Sequence, residues 1–269
     1  MEMDKDFEIL KKTITRTIDF FPERYKQKPL KRRIAVRMRY TKKDSYLEYA
    51  HLLENNKEEQ RLLHKTLTIN VSKFFRNYET FKKIENAVLP KIFDTYKNSG
   101  GIVKVWCAGC ATGEETYTIA MLIDTFLKEK KLSVPFTVIG TDIDTDSLEK
   151  ACIGCYRKEL FNEMPEQYID EYFERNERLC VRHSIKERVH FKRLDLEEDD
   201  EELNDLDLIL FRNVLIYMER MFQEKVLLHI YRRLCENGFL VLGKVEMLFG
   251  EVKKMFTVLD SRERIYRKC

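Results

Sequence analysis

The stretch Trp106-Cys107-Ala108-Gly109-Cys110-Ala111-Thr112-Gly113-Glu114-Glu115 joins a short apolar run to a helical pattern. Its small residues let the backbone turn sharply and approach a ligand closely. No Gly-Lys-Ser/Thr follows, so it is not a P-loop, and the G-x-G-x-x-G of a dinucleotide loop is absent. Glu114 and Glu115 stand where the next helix begins, at the end that phosphate binders keep electropositive. Two carboxylates there repel phosphate and welcome a cation, although glutamate also suits a helix start for dipole reasons alone. Asp142 ends the second apolar run, Phe136–Thr141. A carboxylate so placed can accept both hydroxyls of a ribose. Capping the next helix falls more naturally to Asp144 or Thr145. A ligand with a ribose, no phosphate and a positive centre is S-adenosylmethionine. Arg212-Asn213 follows the run Asp207–Phe211, where polar groups would line the cofactor or the substrate from the same edge.

These residues need a sheet to bring them together. Ile102–Trp106, Phe136–Thr141, Val189–Phe191, Asp207–Phe211 and Gly238–Gly243 read as strands, with helices predicted over 114–128 and 219–234. Strands alternating with helices predict a mainly parallel sheet covered on both faces, with ligands at the carboxyl ends of its strands. Phe256–Leu259 and Arg264–Arg267 predict a terminal antiparallel hairpin. Before the sheet the pattern is helical: Phe7, Leu10, Ile14 and Ile18, then Tyr46, Leu47, Tyr49, Ala50 and Leu53, show no strand-like alternation. Phe81, Ile84, Val88 and Ile92 mark one more helical stretch, interrupted by Pro90 and broken at Asn98-Ser99-Gly100-Gly101. The expected organisation is a helical domain over 1–78 and an α/β domain over 79–269.

Charge is unevenly distributed along the 269 residues, whose formal net charge is +3. Ten basic residues and no acidic one lie between Arg24 and Lys43; eight acidic residues and no basic one lie between Glu197 and Asp207. In the basic block Leu30, Ile34 and Met38 recur every four residues, which predicts a helix with one apolar face and a cationic remainder. Such a surface suits an anionic partner: nucleic acid, a membrane surface or an acidic protein. The acidic run reads as a solvated loop or helix start. No apolar run approaches the ~18 residues of a membrane span, and the acidic N-terminus lacks the apolar core of a secretory signal. Seven cysteines without such a signal predict reduced, buried thiols in the cytoplasm. Cys107-x-x-Cys110 and Cys152-x-x-Cys155 resemble halves of a zinc site. Their separation of 41 residues is too long for a compact zinc ribbon, so no metal is expected.

Several segments together carry a family resemblance. Thr68-Ile69-Asn70-Val71-Ser72-Lys73-Phe74-Phe75-Arg76 resembles the T-x-N-x-T-x-F-F-R signature of the chemotaxis receptor glutamate O-methyltransferases, the CheR family. Val105–Glu115, Thr141-Asp142-Ile143-Asp144 and Phe211-Arg212-Asn213-Val214-Leu215-Ile216-Tyr217 follow in the family's order. The likeness spans roughly residues 25–268. It implies a class I S-adenosylmethionine-dependent methyltransferase: a Rossmann-like α/β domain after a small all-α domain, with a β-subdomain inserted at about 172–193. It implies cofactor contacts from Asn70, Ser72, Arg76, Glu114 or Glu115, Asp142, Asp195-Leu196 and Arg212-Asn213, with S-adenosyl-L-homocysteine as product. The implied substrates are glutamates on the cytoplasmic helices of chemoreceptors, methylated by a cytoplasmic monomer that binds no nucleic acid and does not insert in the membrane. Ser72 replaces the usual Thr and keeps the hydroxyl; Thr116 stands where Pro is common. Gly243-Lys244-Val245-Glu246 occupies the usual G-H-S-E segment, a change expected at the substrate mouth.

A substrate glutamate, with a free pKa of about 4.3, is already ionised at neutral pH, so the expected chemistry needs positioning rather than a general base. Arg76, Arg212 or the Tyr217 hydroxyl could orient that carboxylate, while Phe74 and Phe75 are expected to pack in a core. Arg32, Arg33, Arg37 and Arg39 would hold a Glu-rich receptor helix. An RNA methyltransferase, a methyltransferase of another protein, and a non-catalytic S-adenosylmethionine-binding scaffold are the rival readings. Against RNA, the asparagine-proline-proline-aromatic motif of base N-methylation is missing.

Overall fold

The structure, a computed structural model, describes every residue except Met1, Ile69, Asn98, Ser99 and Asn176, with residues 2–4 as backbone only. Ile69 of the Thr68–Arg76 signature and the expected break at Asn98-Ser99 therefore lie outside the described residues. The chain forms two compact units, residues 1–69 with Tyr217–Gln223, and Asn70–Ile216 with Glu224–Cys269. The division falls at 69/70 rather than near 78. Residues 70–78 carry the buried Phe74 and Phe75, which join the core of the second unit.

In the first unit, α1 (Glu2–Ile18), α2 (Gln27–Thr41), α3 (Tyr46–Asn55) and α4 (Lys57–Leu67) follow the apolar spacing of the sequence. Phe7, Leu10, Ile14, Leu30, Ile34, Tyr49, Leu53, Leu63 and Leu67 bury together. Ser45 and Asn56 cap α3 and α4 by accepting the N–H groups of Glu48 and Glu59, donors that no intrahelical carbonyl can satisfy.

The second unit opens with α5 (Tyr78–Lys83), a π-turn over Ile84–Val88 and α6 (Leu89–Tyr96). Pro90 has no N–H for the carbonyl four residues back, so the ladder loosens ahead of it and restarts with Pro90 in the first turn of α6. Then come β1 (Val103–Ala108), α7 (Glu114–Lys130), β2 (Phe136–Asp142), α8 (Thr145–Ile153), β3 (Cys155–Tyr156), α9 (Glu166–Tyr172), β4 (Phe173–Arg175), β5 (Leu179–Val181), α10 (His183–Lys186) and β6 (Val189–Arg193). The chain finishes through β7 (Leu206–Phe211), α11 (Arg220–Arg233), β8 (Leu234–Leu242), β9 (Phe256–Asp260) and β10 (Ile265–Lys268).

The main sheet has the order β6-β2-β1-β7-β8-β10-β9. Its first five strands pair in parallel, and β10 runs antiparallel to both of its neighbours. β7 is buried along its whole length and β1 at every residue but one, as strands covered on both faces must be. The chain enters at β1, steps to β2 and β6 on one side, then crosses to β7 on the other. The strand order thus reverses between β1 and β7, the place where open α/β sheets bind ligands.

A second, three-stranded sheet has the order β3-β5-β4. It differs from the expected insert at 172–193: it begins at Cys155, and residues 189–193 join the main sheet as β6. Strands of two and three residues are too short to show alternation in sequence. Cys155 lies opposite Cys180 across the β3–β5 pair, and the two form a disulfide. This corrects the expectation of reduced thiols for these two; a sequence separation of 25 conceals an adjacency that only the register creates. Cys107 and Cys110 are buried free thiols, as expected. Burial pushes both well above the ordinary thiol range, so they remain protonated. Among the described residues no helix is long and apolar enough to cross a membrane.

Candidate cofactor site

The β1–α7 loop is held open by its own backbone geometry. Gly109 has φ 71° and Gly113 φ 90°, in the left-handed region that favours glycine. A Cβ on Gly113 would lie 2.8 Å from Ala151 Cβ and 2.9 Å from Phe191 Cζ, so no other residue fits without displacing α8 or β6. The N–H groups of Gly109 and Cys110 both donate to the Thr141 carbonyl, at 2.8 and 2.9 Å, which ties the loop to the end of β2.

That tie brings Asp142 to the loop. Ala111 N–H donates to Asp142 Oδ2 at 2.8 Å, and Asp144 N–H donates to Oδ1 at 3.0 Å. Asp144 caps α8, accepting from Asp146 N–H and from the Ser147 hydroxyl, so the capping role falls on Asp144 and not on Asp142. The Asn70 amide donates to Asp144 rather than standing alone in the pocket. Burial raises the Asp142 pKa against the lowering effect of its backbone donors.

Glu114 is 1% exposed. The Thr112 hydroxyl lies 2.7 and 2.8 Å from its two carboxylate oxygens, and the Ser72 hydroxyl bonds to it as well. Burial is the main cause that raises its pKa; these hydroxyls partly oppose it. The Tyr156 hydroxyl of β3 donates to the Thr112 carbonyl at 2.7 Å, so the small sheet props the loop from behind. Glu115 points elsewhere, accepting from Arg212 at 2.6 Å. The twin glutamates therefore divide: Glu114 is the buried carboxylate beside the loop, and Glu115 is half of an ion pair.

Asp195 and Leu196 follow the end of β6, next to Asp142, where Leu194 N–H donates to the Asp142 carbonyl. Arg212 and Asn213 follow β7. Asn213 takes φ 63°, and its N–H donates to Glu246 Oε2 at 2.8 Å. Glu246 also accepts from Gly243 and Ile216 N–H, and so builds the turn between β8 and the Arg212–Ile216 loop. Lys244 pairs at 2.7 Å with the buried Glu263, which also accepts from the Thr80 hydroxyl. Val245 is 72% exposed. Arg76 is half-buried, with a guanidinium nitrogen donating to the Val71 carbonyl at 2.9 Å. Phe74 and Phe75 pack in the core, as expected. Sequence reasoning missed Tyr156, which lies outside every segment singled out and is defined by a partner 44 residues away. Thr112 and Glu246 lay in segments singled out but were given no role, and Asp144 was expected there only as a helix cap.

Tyr217 belongs to the first unit. Its carbonyl accepts from Lys26 N–H at 2.9 Å, and the Arg33 guanidinium lies 6.0 Å from its ring centre. The basic helix α2 is less uniformly free than its sequence suggests. Arg37 is bidentate to the buried Glu59, at 3.0 and 2.6 Å, and Tyr49 donates to the same carboxylate at 2.5 Å. Arg33 donates to the Thr66 carbonyl at 2.7 Å. Both therefore bond within their own unit while remaining partly exposed. Arg32 and Arg39 are exposed, though Arg39 Nε bonds back to the Ala35 carbonyl.

Glu114 and Asp142 form no ion pair among the described residues, and both are disfavoured as buried anions. A cationic nucleoside relieves that cost, whereas a phosphate would deepen it. The site thus fits S-adenosylmethionine.

Residues 70–265 match the family described as "CheR methyltransferase, SAM binding domain", and residues 5–68 match "CheR methyltransferase, all-alpha domain". A "Chemotaxis protein methyltransferase" of Listeria monocytogenes is 28% identical over 97% of this chain and 97% of its own length. The protein of that name from Escherichia coli is 31% identical over 84% of this chain and 78% of its own. An uncharacterized 104.1 kDa protein of Rhodobacter capsulatus is 30% identical over 90% of this chain, which spans only 25% of that longer relative. With both domains matched in order and the loop chemistry suited to a sulfonium nucleoside, the chain belongs to the CheR family of S-adenosylmethionine-dependent methyltransferases.

Proposed function

We propose that this protein methylates glutamate side chains on the cytoplasmic helices of chemoreceptors, forming methyl esters. The observation that carries the reading is the buried Glu114 and the half-buried Asp142, two carboxylates at the β1–α7 loop with no basic partner among the described residues, in a chain whose similar proteins include chemotaxis methyltransferases. S-adenosylmethionine would supply an electrophilic methyl group on a sulfonium. In this reading Asp142 holds the ribose hydroxyls, and Glu114, Asn70 and Ser72 line the cationic end. Asp195, Leu196 and Asn213 line the pocket from the ends of β6 and β7. The chain's task is to orient an already ionised acceptor and strip its water, because no proton need be removed from it. Arg76 is assigned to that orientation. The exposed cations of α2, including Lys28, Arg32 and Arg39, are assigned to an acidic receptor helix.

Methyl-labelled S-adenosylmethionine incubated with a receptor cytoplasmic fragment tests the assignment. Base-labile label on receptor glutamates is the expected result. Base-stable label would indicate another acceptor, and no label despite bound cofactor would make the protein a scaffold.

A further inference from the structure

Arg212 follows β7 directly, at a position expected to line the cofactor, yet its side chain turns inward. The residue is only 5% exposed. One terminal nitrogen donates to Glu115 Oε2 at 2.6 Å; the other donates to the Arg76 carbonyl at 2.9 Å and to Asn77 Oδ1 at 3.0 Å. The guanidinium carbon lies 5.3 Å from the centre of the Phe81 ring.

Both of that second nitrogen's acceptors belong to one short turn, and the turn is strained. Phe75 has φ 50° and Asn77 φ 65°, left-handed values that side chains with a Cβ rarely adopt. Such a conformation persists only where its surroundings over-determine it. Three groups do so here: Phe75 N–H donates to the Thr118 hydroxyl, Asn77 N–H donates to Glu163, and Arg212 takes the carbonyl between them. The residue between the two strained positions is Arg76. Through Glu115, the same guanidinium fixes this turn to the first turn of α7, the turn that carries Glu114.

We propose that Arg212 is a positioning residue: it grips the backbone beneath Arg76 and sets the Arg76 side chain relative to the cofactor loop. The proposal rests on the reading of Arg76 as a group that orients the acceptor. A displacement of about 1 Å at such a group can cost a hundredfold in rate without loss of ligand.

The test combines Arg212→Gln, Arg212→Lys, Arg76→Ala and the double variant Arg212→Gln/Arg76→Ala, using the full chain. Base-labile receptor methylation, cofactor affinity by calorimetry, and amide exchange over residues 74–78 are measured for each. Arg212→Gln is expected to lower kcat by about tenfold to a hundredfold, with cofactor Kd changed by less than about threefold. Its exchange at Phe75 and Asn77 quickens, while that of β1 and β7 is unchanged. The double variant is no slower than Arg76→Ala, because one residue acts through the other. Arg212→Lys, whose single ammonium cannot span both acceptors, falls between. Unchanged exchange at Phe75 and Asn77, or a loss of kcat that multiplies in the double variant, overturns the proposal. So does a loss of cofactor affinity as large as the loss of kcat. The receptor reading fails differently, through wild-type protein that binds cofactor but leaves no base-labile label. In that event the exchange comparison still decides whether Arg212 holds the turn.

Discussion

Glu114 and Asp142 carry the electrostatics of the site, and their raised pKa values set its response to pH. Cofactor binding favours the ionised carboxylate, so affinity for S-adenosylmethionine is expected to fall as pH is lowered through the raised pKa of Glu114. Calorimetry from pH 8 to 5 should show this decline in the wild type and a weaker, flatter affinity in Glu114→Gln. Without cofactor the sign reverses. Between the ordinary glutamate value of about 4.3 and the raised one, the folded state binds more protons than the unfolded state. The fold therefore loses stability as pH rises through that window, and Glu114→Gln should remove this loss from the melting temperature. Elsewhere, Arg37→Ala leaves the buried Glu59 without its bidentate cation, a change expected to destabilise the helical unit by about 3 kcal/mol. Arg32→Ala, at an exposed position, should stay within about 0.5 kcal/mol when both variants are compared by urea titration. Both residues look alike in sequence, as arginines in one basic run. Glu114 and Asp142 were legible because a carboxylate at the start of the first βα unit's helix and another at the end of the second strand already disfavour a phosphate. The division of labour between Glu114 and Glu115 was not, since it depends on Arg212, 97 residues beyond Glu115.

Most elements followed from periodicity, and those that did not share a cause. The strands of the main sheet are apolar runs bounded by Gly or polar residues, a pattern that survives without knowledge of their neighbours. Strands β3, β4 and β5 have too few residues for alternation, and pairing alone makes them a sheet. Their Cys155–Cys180 bond closes a loop with a separation of 25 residues, worth about 3 kcal/mol in the chain-entropy account. Cys155→Ser/Cys180→Ser is therefore expected to melt at a lower temperature than the oxidised protein, and to match the wild type once a dithiol has reduced it. Equal melting of all three would show that the bridge contributes nothing. Gly113 belongs to the same scale, because its backbone joins β1 to α7. Gly113→Ala adds a methyl group within 3 Å of α8 and β6 at a left-handed φ, so both stability and cofactor affinity should drop together.

For the whole molecule, a net charge of +3 conceals a basic helix and an acidic loop that meet different fates. Half of the acidic run enters internal ion pairs: Asp200 and Glu202 with Lys192, Glu197 with Lys225 and Asp199 with Arg233. Much of the basic segment around α2 remains exposed at Lys26, Lys28, Arg32, Arg39 and Lys42. If it docks an acidic receptor helix, receptor methylation should weaken steeply as salt rises, and Lys28→Glu/Arg32→Glu/Arg39→Glu should be slower and less salt-sensitive. Methylation that keeps its wild-type salt dependence in that variant would remove α2 from the interface. The sequence by itself determined the parallel sheet, the terminal hairpin, the apolar faces of the helices and a first loop suited to a cation. These depend on residue types at local spacing, where burial and backbone preference act directly. Tertiary structure alone decided which of two adjacent glutamates faces the loop, which arginines remain outside, which cysteines meet and what holds the Arg76 turn. Each of those depends on a partner brought near by strand order and register, and hydrogen bonds and ion pairs of a few ångströms leave no periodic trace in the chain.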